Sequence, residues 1–279
     1  MNWVTILLYC FLYAGVLLFL GGCVVRAVRY AREPIHLRWE IHPVPHGRAS
    51  ELKVMIPEIL FLKGLWEFNR AMWYVSFPFH FGLYLLVAAA ALILFSIPAA
   101  GWAILHQAYA AAGVIGLWLA LWGALGLLAR RLATRELRTY TTAGDVLNLV
   151  FFAATFALLL AGHAWRPANS PGPLAILRGA ATWDTALKPP ALLTAGLMAG
   201  GALLAYIPMT HMSHFIAKYF TYHAVRWDAR ANVAGGTLEK RMAQYLMYRP
   251  AWAAPHIEAG GARTWAEIAA TNPAQGGRK

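Results

Sequence analysis

Apolar residues gather in five long runs, at about 3 to 25, 71 to 97, 105 to 129, 145 to 163 and 191 to 217, with polar, basic or proline-rich stretches between them. A hydrocarbon core of roughly 30 Å takes about 20 residues of helix to cross. Each run therefore predicts one transmembrane helix, and the chain an all-α bundle of five. Thr142 and Asp145 in TTAGD are suited to cap the start of the fourth helix. Pro78 removes a backbone donor inside the second and bends it just before His80. Two shorter segments predict helices at the membrane surface. In PEILFLKGLWEFNRAMW, apolar residues near helical spacing alternate with Glu58, Lys63, Glu67 and Arg70, and the connection from 164 to 190 has the short apolar centre PLAILRGAATW.

Composition agrees with the pattern: 59% of the 279 residues are hydrophobic and 13% charged, against about a quarter charged in soluble domains. A net charge of +12 would point to nucleic acid in a soluble protein, but here its placement carries the meaning. All of the 24 basic residues except Arg166, Arg178 and Lys188 follow the first helix, join the third to the fourth, or follow the fifth. Basic residues collect in cytoplasmic loops, so the N-terminus is expected outside and the C-terminus inside a multi-pass protein of the cytoplasmic membrane. Residues 1–220 then form the membrane domain, with a cytoplasmic loop at 27–70, and residues 221–279 a cytoplasmic tail whose aromatic and basic residues suit docking to a partner or to anionic lipid. Lipid is the expected surrounding and nucleic acid is not a partner. The N-terminal run lacks the basic lead-in and small-residue cleavage site of a signal peptide and is expected to be retained. Cys10 and Cys23 share one helix with no CxxC motif, and His36, His42 and His46 lie in a proline-rich loop without ligand-pair spacing. Neither set predicts an iron–sulfur or zinc site.

The chemistry is expected where histidines stand in apolar runs, because ionisable groups are costly in hydrocarbon and mark pathways, cofactors or ligands. His211 and His214 occur in ALLAYIPMTHMSHFIAKYF at 202 to 220, and His80 in FPFHFGLYLL. Counted at 1.5 Å per residue from aromatic boundaries, His80 lies roughly 10 Å and His214 roughly 6 Å inside the cytoplasmic face. Two neutral imidazoles at similar depth can clamp one haem iron, and an iron so held has no open position and exchanges only electrons. His106 and His163 fall near the outer face. A competing reading, a passive anchor or a proton-relay subunit of a transporter, is weakened by the lack of Asp, Glu, Lys or Arg in the middle of the five runs.

Three motifs resemble the membrane cytochrome b subunits of the respiratory nitrate reductase gamma type. FHFG at 79 to 82 is similar to the family's ligand-bearing second helix, RRLATRELRTYTTAGDVLNL at 130 to 149 to its third-to-fourth connection, and YIPMTHMSHF at 206 to 215 to the end of its fifth helix. The tail motif KYFTYHAVRWDAR resembles the branch associated with sulfite-reductase and heterodisulfide-reductase-like iron–sulfur partners. The resemblance implies haem b held by His80 and His214, the latter selected because the family's ligand stands six residues after a proline. His211 then becomes a neighbour of the ligand or a propionate contact. It further implies exchange of electrons between membrane quinone and a cytoplasmic iron–sulfur subunit of the heterodisulfide-reductase-like or nitrate-reductase-beta-like kind. The family's outer haem pair maps onto Ala90 and Gly196, which cannot ligate. His106 matches a basic residue of the family's quinol site and is expected to meet quinone. Alternatively, His106 and His163 rebuild a second haem site, and an ordinary interfacial role for His163 also stands.

Overall fold

The computed structural model describes residues 2–32, 45, 47–96, 103–226, 233–250 and 260–271, with the side chains of 94–96, 103–106 and 224–226 outside the description. His36, His42, His46 and the His106 side chain thus lie outside the described residues. The regular elements among the described residues are all helices, without a strand, and five of them are long and apolar enough to span a bilayer. The chain divides into two units, one of residues 1–24 and 46–213, the other of residues 25–45 and 214–279.

In chain order the first elements are α1 (Trp3–Arg32), α2 (Arg48–Leu60), α3 (Lys63–Phe68) and α4 (Arg70–Ser96). There follow α5 (Ala103–Ala133), α6 (Arg135–Thr139), α7 (Ala143–Ala164), α8 (Pro173–Thr182) and α9 (Ala191–Tyr206). The expected runs correspond to α1, α4, α5, α7 and α9. In the larger unit α4 packs on α5, α5 on α7, and α7 on α9. Their shared core is Phe79, Leu117, Ala120, Phe152, Phe156 and Leu203, with Phe79 edge-on to Phe152 at 5.2 Å between ring centroids.

Small residues set the helix spacing, because in lipid helices associate by close packing rather than by the hydrophobic effect. A Cβ placed on Gly82 would lie 2.5 Å from the backbone nitrogen of Ala120, and one on Gly123 2.5 Å from that of Phe79. The backbones of α4 and α5 are thus in direct contact. The same holds for α7 and α9, where a Cβ on Gly162 would meet the Leu193 Cα at 2.7 Å.

α8 forms over the expected short apolar centre and packs inward on the bundle. Ile176 is fully buried with Leu8, Tyr9, Leu193 and Leu197, and Leu174 and Leu177 pack on Ala89, Ile93 and Tyr109. The short apolar centre therefore packs on the ends of α1, α4, α5 and α9. The start of α1 is laced to this region through main-chain acceptors: Thr5 Oγ1 donates to Leu187 O (2.7 Å), Tyr9 Oη to Asp184 O (2.9 Å) and Tyr13 Oη to Ala180 O (2.7 Å). Leaving a buried carbonyl without its donor costs about 1–3 kcal/mol. Tyr9→Phe is accordingly expected to lower the thermal midpoint of the purified protein, read by circular dichroism in detergent.

The segment 57–73 differs from one continuous surface helix. α2 includes Pro57 and ends at Leu60, and Leu62 adopts a left-handed backbone (φ 52°) before α3. Trp73 Nε1 donates to Phe61 O at 2.8 Å and Tyr84 Oη to Ile59 O at 2.6 Å, fastening the break onto α4.

The expected helix over 191–217 is interrupted. α9 stops at Tyr206, and 3-10 turns at Ile207–Met209 and His211–Ser213 flank Thr210, whose backbone is extended (φ −116°, ψ 178°). Pro208 has no N–H to continue the helix and its ring clashes with the preceding turn. Thr210 then rebuilds the lost bonding: its hydroxyl donates to Ile207 O at 3.1 Å and accepts from Met212 N at 3.2 Å.

In the smaller unit, α10 (His214–Phe220) runs into a π-turn at Thr221–Arg226, and α11 (Thr237–Leu246) and α12 (Trp265–Ala269) follow. Tyr30, from the end of α1, meets Phe220 within this unit, the tilted rings 5.7 Å apart between centroids.

Candidate functional site

His80 stands on α4 beside Phe79, which fills the core seam against α5, so the close contact at Gly123 fixes the rotation of the helix that carries it. The half-buried ring has its Nδ1 2.7 Å from the Ser76 carbonyl oxygen one turn back, with Ser76 Oγ 3.4 Å from the same nitrogen. A carbonyl only accepts, so Nδ1 carries the hydrogen and the lone pair resides on Nε2. That tautomer is the one an imidazole uses to ligate a metal through Nε2, with its second nitrogen oriented by a backbone carbonyl. The donor on α4 therefore fits a haem iron.

His163 has the opposite arrangement. Arg166 Nη1 lies 3.0 Å from its Nδ1 and 2.6 Å from its carbonyl oxygen. Guanidinium is only a donor, so Nδ1 accepts and, in the neutral ring, Nε2 carries the hydrogen. His163 is thereby tied to the turn that leaves α7.

The two histidines of 202–220 fall on either side of the division between units. His214 opens α10 with an exposed ring. His211 lies on the 3-10 turn of the larger unit, its Nε2 3.3 Å from Asp145 Oδ1 at the start of α7. Asp145 also completes the helix cap expected from TTAGD: its Oδ2 accepts from Thr142 N and Thr142 Oγ1, both at 2.9 Å, while Thr142 Oγ1 accepts from Asp145 N at 3.2 Å. Arg131, in the last turn of α5, brings Nη1 to 3.8 Å from the same Oδ2. Three elements thus converge on one carboxylate.

A turn further along α7, Asn148 is 2% exposed and accepts from Tyr206 Oη at 2.6 Å, and Phe151 meets the Tyr206 ring at 5.6 Å. Thr155, on the same stripe, is 1% exposed with its hydroxyl unpaired among the described residues. Sequence reasoning took Asp145 only as a cap and missed its pairing with His211, as it missed Asn148 with Tyr206. The available signal was the set Asp145, Asn148 and Thr155, polar residues sharing one helical face within an apolar run.

The positions of the resembled family's outer pair agree in lacking room or direction for ligands. A Cβ on Gly196 would meet Leu159 N at 3.0 Å and Leu158 C at 3.1 Å, and Ala90 is exposed. An imidazole at 196 has no space between α7 and α9. Among the described residues no three His, Cys, Asp or Glu side chains gather into a metal-binding group, and Cys10 and Cys23 are free thiols. No protein-family model matches the chain, and comparison with curated proteins and with solved structures returned no significant match.

Proposed function

We propose that the chain is the haem b membrane subunit of a respiratory redox complex, resembling the nitrate reductase gamma type. In this reading it moves electrons between membrane quinone and an iron–sulfur subunit on the cytoplasmic side. The observation that carries the reading is His80: a half-buried imidazole on a membrane-length helix, its Nδ1 oriented by the Ser76 carbonyl oxygen at 2.7 Å. His80 and His214 are the residues that would hold the haem, which when bound supplies one-electron transfer. Gly196, closed against α7, supports a single haem rather than the family's pair. His163, whose Nδ1 faces Arg166, is left as an anchor of its turn.

Such a protein makes or breaks no substrate bond at its haem; that chemistry belongs to the iron–sulfur partner, for which the basic connection around α6 and the tail from 221 offer the docking surface. The purified chain, mixed with a reduced quinol analogue, should give the α-band of a reduced b-type haem in a reduced-minus-oxidised spectrum. Absence of a haem band even with dithionite would defeat the reading and favour the anchor or proton-relay alternative.

A further inference from the structure

We infer that the Asp145–His211 pair, braced by Arg131, is a quinone-headgroup site at the basic end of the bundle. This deepens the reading above by locating the exchange with quinone at the end of α5, α7 and α9 where α6 joins the first two, and not beside His106.

Four features argue for a ligand site over a simple staple between helices. The start of α7 does not need His211: Thr142 and Asp145 satisfy each other in a complete capping box. The chain nevertheless leaves α-helical geometry from 207 to 213, passing through two 3-10 turns, and places His211 on the far side of an extended Thr210. Irregular backbone at membrane depth is tolerated where it is packed in protein or lines a cavity or pathway. Third, the pair is accessible, with the His211 side chain 54% exposed over a carboxylate that is only 14% exposed. An imidazole held to a carboxylate through Nε2 has its second ring nitrogen available to hydrogen-bond a quinone oxygen or a quinol hydroxyl.

Finally, the neighbouring surface suits a flat ring carrying two carbonyls. One turn along the same helices, the Phe151 and Tyr206 rings meet and the phenol is fixed by buried Asn148, giving an aromatic wall with a polar edge. Reduction of one quinone takes two electrons, from a one-electron carrier of the class proposed above, and two protons, one from the His211 ring and one from water. Oxidation of the quinol runs the same balance backwards.

The test uses the full-length protein in mild detergent and a short-chain naphthoquinone, with affinity measured by titration calorimetry and haem recorded separately by absorption. His211→Ala is expected to weaken binding tenfold or more. Asp145→Asn, which keeps a capping side chain but removes the charge, should weaken it severalfold. Tyr9→Phe, at the opposite end, serves as a destabilised control and should bind as the unaltered protein does. Unchanged affinity in His211→Ala overturns the inference, as does a loss that Tyr9→Phe shares at matched thermal stability. Binding that depends on His211 in a protein without haem would uphold this site while removing the cytochrome reading.

Discussion

Replacing His80 by alanine is expected to abolish the b-type haem spectrum entirely, and His214→Ala to do the same. A haem held by two imidazoles loses its low-spin signature when either is removed, and a membrane site that binds the porphyrin mainly through its iron then loses the cofactor. His80 is the better-defined member, since the 2.7 Å contact between its Nδ1 and Ser76 O fixes both tautomer and ring orientation. His211→Ala should retain the haem, because the His211 ring is directed to Asp145. Haem content per chain after purification checks all three variants. Retention in His214→Ala with loss in His211→Ala would reverse the choice between the two.

The second large effect is expected at Gly123, in the seam between α4 and α5. Its missing Cβ would sit 2.5 Å from the backbone nitrogen and Cβ of Phe79, so Gly123→Leu cannot be absorbed by a side-chain rotation. Overpacking by one or two methylenes in a close-packed core costs about 1–3 kcal/mol, and a whole isobutyl group against main chain should exceed that. Two outcomes are expected together: a fall in the unfolding midpoint and poor haem loading, because α4 carries Phe79 and His80 as neighbours. Gly113→Leu, where a Cβ would meet nothing within 4 Å, is the matched substitution on α5 and should leave both properties unchanged. A Gly123→Leu protein with normal haem loading would show that the α4–α5 seam does not position the ligand.

The five spans were legible because hydrocarbon imposes one requirement on every residue of a run, and a soluble fold rarely holds about 20 apolar residues in succession. Their ends moved by a few residues, since helices continue past the apolar boundary while long basic side chains reach water; α1 thus extends through Arg26, Arg29 and Arg32. The break in the fifth span was harder to see. Met212, Phe215 and Ile216 carry hydrophobicity past Pro208, and only the missing N–H of that proline announces the interruption. The way α8 is fastened was hidden for a different reason: Tyr9 and Tyr13 reach main-chain carbonyls, which leave no trace in a sequence. The same blindness to long-range pairing hid the meeting of Asp145 with His211. The histidines themselves were visible, but the tautomers that separate His80 from His163 depend on a carbonyl and a guanidinium supplied by the fold.

The central claim, that this bundle holds haem through two histidines, is tested most directly by counting haem on the purified full-length chain as the pyridine haemochrome. The near-infrared magnetic circular dichroism of the oxidised protein then identifies the axial ligands. One b-type haem per chain with a low-spin, two-imidazole signature is expected. A chain purified with no haem after expression in haem-replete cells, or a haem with a single imidazole and an open position, would contradict it.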